Sequence, residues 1–242
     1  MNITKTSRTP ICAFLIIISF LISLNISAQN SKKQSTSGFL DFNTYYDTRE
    51  FHVMTINILS KLPNRLQYFS LTNYQGSDKS LDFSNFYSEQ NLRWQIKEMS
   101  PFDLSLQYVM RQGASNDDFR LGVRWRISDT PKLNTFFKKL NMSYSINPML
   151  IQFRVNAHTK SMTQIEHVYK INLYKDIIYL GGFADQNFIY ANNKVAFKWV
   201  SEHQLGIRMI DQLYAVAEYR INDFLTSDNT GLGIGIEYKI IF

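Results

Sequence analysis

Charged residues in this chain recur at two- and four-residue spacing. Glu89 and Arg93 do so in SEQNLRWQI, Arg120, Arg124 and Arg126 in DFRLGVRWRI, Glu218 and Arg220 in AVAEYRI, and Glu237 and Lys239 in GIEYKIIF. On an extended strand that spacing puts the charges on one face and the residues between them on the other. Arg120, Arg124 and Arg126 form the densest basic row. Guanidinium donors aligned along a wall can hold anions or sugar hydroxyls, and rings of charge around an aqueous path set ion selectivity. The competing chemistry is plainer: Arg and Glu on neighbouring strands pair, hold the wall rigid and leave little free charge. Tyr214 shares a face with Glu218, where its ring either stacks a planar solute or fills space. Lys97, Arg111, Glu166, Lys170, Glu202 and Arg208 extend the same polar faces.

Catalysis has less to work with. The only histidines are His52, His158, His167 and His203. IEHVYK and SEHQLG each contain Glu-His, but adjacent strand residues point to opposite faces and cannot relay a proton directly. Ser201 precedes Glu202-His203 without forming a lipase-like stretch. No His/Cys cluster has metal-ligand spacing, and GLGIGIEY is followed by no helix that could make it a phosphate loop. The expectation is a non-enzyme without metal or cofactor, a barrel-type lipid-modifying hydrolase being the alternative.

The elements that position these charges are strands. The 242 residues are 45% hydrophobic and 14% aromatic, with formal charge +6. The one long apolar run is at the front, where Lys5 and Arg8 precede Ile11–Leu24 and Ser27-Ala28. That layout reads as a secretory signal over 1–28, cleaved after Ala28. Cleavage would remove Cys12, the only cysteine, and lower the formal charge to +4. Neither that charge nor any dense Lys/Arg block points to nucleic acid. Residues 29–38, QNSKKQSTSG, read as a flexible polar lead-in.

From residue 39 onward, alternating segments are separated by turn chemistry. They span 39–46, 51–59, 66–73, 86–97, 102–112, 118–127, 140–150, 163–173, 177–189, 197–209, 213–222 and 231–242. The facing of 51–59, 66–73 and 177–189 is ambiguous. One set of connections is short (LSKLPNR, KEMSP, LYKD, IDQ), and the other is mostly longer and rich in Asn, Asp, Ser and Gly. SDTPKLNTFFKK, at the short-turn end yet long, reads either as a plain long turn or as a segment holding a small helix at a membrane rim. Short turns at one end and long loops at the other are the asymmetry of an outer-membrane barrel. Twelve strands also fit the length, since a tilted strand needs about 9–11 residues to cross a bilayer.

Alternation alone does not distinguish lipid from a soluble core. The oily faces are rich in Trp, Tyr, Phe and Leu, with aromatics near strand ends, while the polar faces mix charge with amides and small residues. That favours lipid outside and a polar lumen inside. The final segment, GLGIGIEYKIIF, sets Leu232, Ile234, Ile236, Tyr238, Ile240 and Phe242 on one face. Ending on Phe242, it is similar to the C-terminal signature of bacterial outer-membrane barrels, which implies that the barrel-assembly machinery reads Phe242. The expected fold is all-β: a transmembrane antiparallel up-and-down β-barrel of about twelve strands over 39–242, monomeric, in the bacterial outer membrane.

FHVMTINILSKLPNRLQYFSLTNYQG, NFYSEQNLRWQI and GIGIEYKIIF together resemble segments of the nucleoside-specific (Tsx-type) channel family. The resemblance implies a barrel that passes small hydrophilic solutes, nucleosides among them, by passive diffusion. It transfers architecture and no residue-by-residue binding site. The alternative is a non-conducting binding or structural barrel with a blocked lumen. On either reading the lumen residues of interest are Glu89, Arg93, Arg120, Arg124, Arg126, Tyr214, Glu218, Arg220, Glu237 and Lys239.

Overall fold

The structure, a computed structural model, describes residues 36–76, 83–113, 117–154 and 161–242. The signal segment, most of the polar lead-in and His158 lie outside the described residues. Twelve strands follow one another: β1 Ser37–Asp47, β2 Phe51–Lys61, β3 Leu66–Gln75, β4 Asn85–Gln95, β5 Phe102–Arg111, β6 Asp118–Arg126, β7 Met142–Arg154, β8 Ser161–Tyr174, β9 Ile178–Ala191, β10 Lys194–Ile210, β11 Leu213–Asn222 and β12 Thr230–Ile241. Each pairs antiparallel with its neighbours, and β1 pairs with β12 to close the barrel. Every segment expected from alternation is a strand. The first begins two residues early, so Ser37 and Gly38 of the polar lead-in belong to the wall.

Closure removes every sheet edge, so no row of backbone donors is left unpaired along the wall. At the seam, Phe39 to Asp47 run opposite Ile241 to Gly233 without a break. Gly38 N–H donates to the Phe242 carbonyl at 2.8 Å, and Phe242 N–H donates back at 3.1 Å. The β9–β10 hairpin turns on Asn192 and Asn193, both at positive φ (49° and 58°), the two-residue geometry that suits the right-handed strand twist. The connection after β6 holds a 3-10 turn, Ile127–Asp129, and the helix α1, Leu133–Lys139. It exposes Leu133, Phe136 and Leu140 beside Lys138 and Lys139, so the small helix expected in SDTPKLNTFFKK is present. Among the described residues no helix is long and apolar enough to cross a membrane.

The polarity is inverted relative to a soluble barrel. The buried side chains are mostly polar, among them Asp41, Asn91, Asp103, Gln107, Asn147 and Glu237. The exposed ones include Trp94, Leu104, Leu150, Phe197, Ile234 and Ile236, with Ile234 64% exposed in mid-strand. Water would penalise that outer belt at about 25 cal/mol for each Å² of apolar surface, whereas hydrocarbon would not.

Register shifts occur near the strand ends at Arg208–Ile210 and Asn172–Tyr174, and in mid-wall between β6 and β7. The β6–β7 register shifts between Leu121 and Gly122: Leu121 faces Ile151 and Gly122 faces Met149. Leu150 is the extra residue of a bulge, so Leu150 and Ile151 are both exposed, at 60% and 55%. The inward positions of β7 therefore switch from Asn147 and Met149 to Gln152. Pro148, which has no N–H to give the ladder, sits beside this bulge. Gly122 is required here, because a Cβ would strike the Pro148 carbonyl oxygen and come within 2.7 Å of the Met149 sulfur.

Candidate functional site: the barrel lumen

The inward faces enclose a cavity of ≈ 1490 Å³. Its lining reaches from Phe39, Asp129 and Lys239 at the short-turn end to Arg49, Phe86 and Asp228 at the long-loop end. Glu89, Arg93, Arg120, Arg124, Arg126, Glu218, Arg220, Glu237 and Lys239 all line it. Glu166, Lys170 and Glu202 do as well, whereas Lys97 does not: it is exposed in the turn after β4. Arg208 also departs from expectation, since it sits next to the β10 register shift and pairs with the exposed Asp176 at 2.8 Å.

The basic row is neutralised where it stands. Register places Asp103 of β5 opposite Arg124 of β6. Their ion pair measures 2.6 Å, and the same carboxylate lies 3.2 Å from Arg126. Arg126 also reaches Asp129 at 2.9 Å, and Arg120 pairs with Asp118 at 2.9 Å. Arg111 shares Asp118 at 2.8 Å. Arg124 further donates to Gln67 of β3 at 2.6 Å, and Arg120 donates to Gln107 at 3.1 Å and to Gln164 of β8. The bond to Gln107 joins adjacent strands, while those to Gln164 and Gln67 span one and two intervening strands and brace the wall as chords. Such charge-assisted bonds are stronger than neutral ones and fix the arginines against it.

A second braced sector joins β1 to β9–β12. Tyr45 donates to Gln204, Gln204 donates to Tyr179, and Tyr179 donates to Glu237, which pairs with Lys239 at 2.6 Å. Small residues make room for the rings: a Cβ on Gly206 would overlap the Tyr179 ring, and one on Gly233 would lie 3.3 Å from Tyr45 Cβ. Tyr214 packs edge-on against Tyr179 at 5.7 Å and against the buried cluster of Tyr45, Val53 and Val216. It fills space and offers no open face for stacking. Arg220 pairs with Glu218 and lies 3.9 Å from Glu202. Tyr179, Tyr45, Gln204 and Asp103 escape a reading of charge spacing alone, because their roles depend on cross-strand register.

The ambiguous strands supply apolar residues to the lumen. Val53 and Leu59 of β2, Phe69 and Leu71 of β3, and Phe183 and Ile189 of β9 line the cavity. Both faces of these strands are oily, and so alternation could not orient them.

Arg93 stands apart. It is 6% exposed and lines the cavity, yet among the described residues it makes no hydrogen bond or ion pair. Its guanidinium lies over the Phe69 ring, 5.3 Å from the centroid. Glu166 and Asp185 are directly opposite each other on β8 and β9, and both line the cavity. Neither forms an ion pair: Glu166 accepts from Asn147, and Asp185 Oδ1 is buried without a partner.

The histidines lie elsewhere. His167 meets the Tyr144 hydroxyl at 2.8 Å and His203 the Tyr169 hydroxyl at 2.8 Å, on strand positions alternating with the lumen-facing ones. Ser201 is fully buried, its hydroxyl unpartnered. Among the described residues no group of His, Cys, Asp and Glu could hold a metal ion. Phe242 is half exposed beside the closed seam.

Solved structures share this architecture. KdgM porin superposes over 83% of this chain and 98% of its own, with a TM-score of 0.51 and 12% identity. KdgM porin in complex with disordered oligogalacturonate matches with the same coverage and TM-score, at 13% identity. A Rhodopseudomonas blastica porin variant covers 85% of this chain at 9% identity, with a TM-score of 0.33. The likeness is one of fold. No family model matches the chain, and no curated protein matches it in sequence.

Proposed function

We propose that the chain is a bacterial outer-membrane channel that passes small hydrophilic solutes by passive diffusion. The observation that carries this reading is the cavity of ≈ 1490 Å³ lined from rim to rim, inside a wall whose outer face is apolar. Barrels of this size stand between those packed solid with side chains and wide aqueous porins. What supports an open lumen over a blocked one is the volume of that cavity beside chords that each reach across no more than two intervening strands.

The solute class follows from the charge arrangement. An acidic polymer such as the oligogalacturonate bound by KdgM porin would want free guanidinium groups. The arginines facing Asp103 and Asp118 already have partners, so the reading is small solutes without net charge. Nucleosides, implied by the Tsx-type resemblance, belong to that class, although Tyr214 is not the group that would stack them. A hydrolase is disfavoured because Ser201 is sealed and the paired histidines engage tyrosines. The half-exposed Phe242 remains available to the assembly machinery. Planar-bilayer recording of the refolded chain tests the reading: discrete conductance steps with little preference between K⁺ and Cl⁻ are expected, and a silent barrel would refute it.

A further inference from the structure

We infer that the lumen holds a subsite for small zwitterions, of which free amino acids are the chemical type, with Arg93 taking the carboxylate and the Glu166–Asp185 pair taking the ammonium. The inference rests on the channel reading and names its preferred solute.

Three observations carry it. First, among the described residues Arg93 forms no ion pair and its Nε is buried without a hydrogen-bond partner, while Arg111, Arg120, Arg124, Arg126 and Arg220 each pair with a carboxylate. A buried guanidinium that closes no ion pair keeps its donors available to a carboxylate entering the lumen. Second, Glu166 and Asp185 are set directly opposite on neighbouring strands, a like-charge arrangement that destabilises a sheet. They are 8% and 7% exposed, Gln164 donates to Asp185, and among the described residues no Lys or Arg forms an ion pair with either. A single ammonium between them would remove both penalties. Third, Arg93, Glu166 and Asp185 line the same cavity, and the carboxylates whose charge reaches Arg93, Glu166, Glu89 and Asp103, all stand beyond ion-pair distance from it. A molecule carrying both signs can satisfy them together; a lone anion meets the carboxylates and a lone cation meets Arg93. Phe69 and Leu71 line the wall beside the guanidinium and offer an apolar surface to an aliphatic side chain.

The charged neighbours that could compete include Arg124 near Glu166 and Arg120 near Asp185, which are tied to Asp103 and Asp118; Lys170 and Glu89 are the other two. The Lys170 ammonium instead lies 4.5 Å from the Tyr179 ring centroid. Glu89 accepts from Tyr87 and from Gln107 Nε2, the latter at 3.1 Å. Neither fills the gap.

The test is uptake into proteoliposomes at submillimolar solute, reading the ratio of leucine to xylose entry. Wild type should favour leucine over both xylose and N-acetyl-leucine, which keeps the carboxylate but lacks the ammonium. Arg93→Met and Asp185→Asn should each lower the leucine-to-xylose ratio about tenfold, the loss expected when one hydrogen bond to a charged group disappears. Folding is checked by heat-dependent gel mobility. Should Arg93→Met fail to fold, Asp185→Asn and the N-acetyl-leucine comparison decide. Entry of xylose and leucine at equal rates, or an unchanged ratio in the folded variants, overturns the zwitterion site and leaves the channel standing. A wild-type barrel that admits neither solute overturns both.

Discussion

Replacing Asp103 with Asn removes the carboxylate that neutralises two arginines at once. In the native lumen Asp103 lies 2.6 Å from Arg124 and 3.2 Å from Arg126. Arg126 would keep Asp129 at 2.9 Å, so the uncompensated charge falls on Arg124, held only by Gln67 at 2.6 Å. Breaking a fully buried ion pair costs about 3–5 kcal/mol. Here the Arg124 and Arg126 side chains retain 10% and 26% exposure to the lumen and keep other partners, so about 1–3 kcal/mol is expected. The electrical consequence is sharper. One added positive charge about 6 Å from a passing anion, in water-like dielectric, is worth about 0.7 kcal/mol. That is about a threefold rise in anion preference. Reversal potentials under a KCl gradient read it directly. Asp103→Asn should move the potential toward the chloride limit by the amount a threefold permeability change gives, and 1 M salt should shrink the effect by screening. A folded Asp103→Asn barrel with the wild-type reversal potential would show that Arg124 and Arg126 do not face the permeation path.

Other expectations follow from the same wall. Tyr179→Phe deletes the hydroxyl bonded to Glu237 and Gln204 and should cost about 1–2 kcal/mol, measured as the urea midpoint in vesicles; no change would mean those bonds carry no stability. Gly206→Val would drive a side chain into the Tyr179 ring; overpacking of that kind costs about 1–3 kcal/mol and should lower conductance by pushing the ring into the cavity, which single-channel recording would reveal. Ile234→Arg places a charge on the outer belt at a residue 64% exposed. If lipid covers that face the cost is about 2–4 kcal/mol, whereas stability unaltered in the same vesicle titration would mean the face is wet.

The fold was legible because its period is short and repeated. In DFRLGVRWRI or LYAVAEYRI a single strand reports both environments, and twelve such strands leave few alternatives. Orientation was lost where both environments are apolar, as with Phe69 and Leu71 inside and Phe183 on β9. Strand β7 defeats alternation differently, since the bulge at Leu150–Ile151 shifts its inward residues from odd to even numbers partway along. The site was legible as a set of faces and illegible as a set of pairs. Arg120, Arg124 and Arg126 look like a bare cationic row in sequence, yet Asp103, 21 residues before Arg124, cancels much of it through register. Arg93, unremarkable in sequence beside that row, is the guanidinium left over.

The β6–β7 irregularity gives the wall a preferred place to part. The seam between the first and last strands is continuous over its register, while β6 and β7 lose ladder bonds around Pro148 and Gly122. Thermal breathing of the cylinder should therefore concentrate far from the chain ends, with amide exchange fastest along that line. A barrel closed at its termini but loosely stitched part-way round behaves mechanically like a bracelet whose clasp is stronger than one of its links.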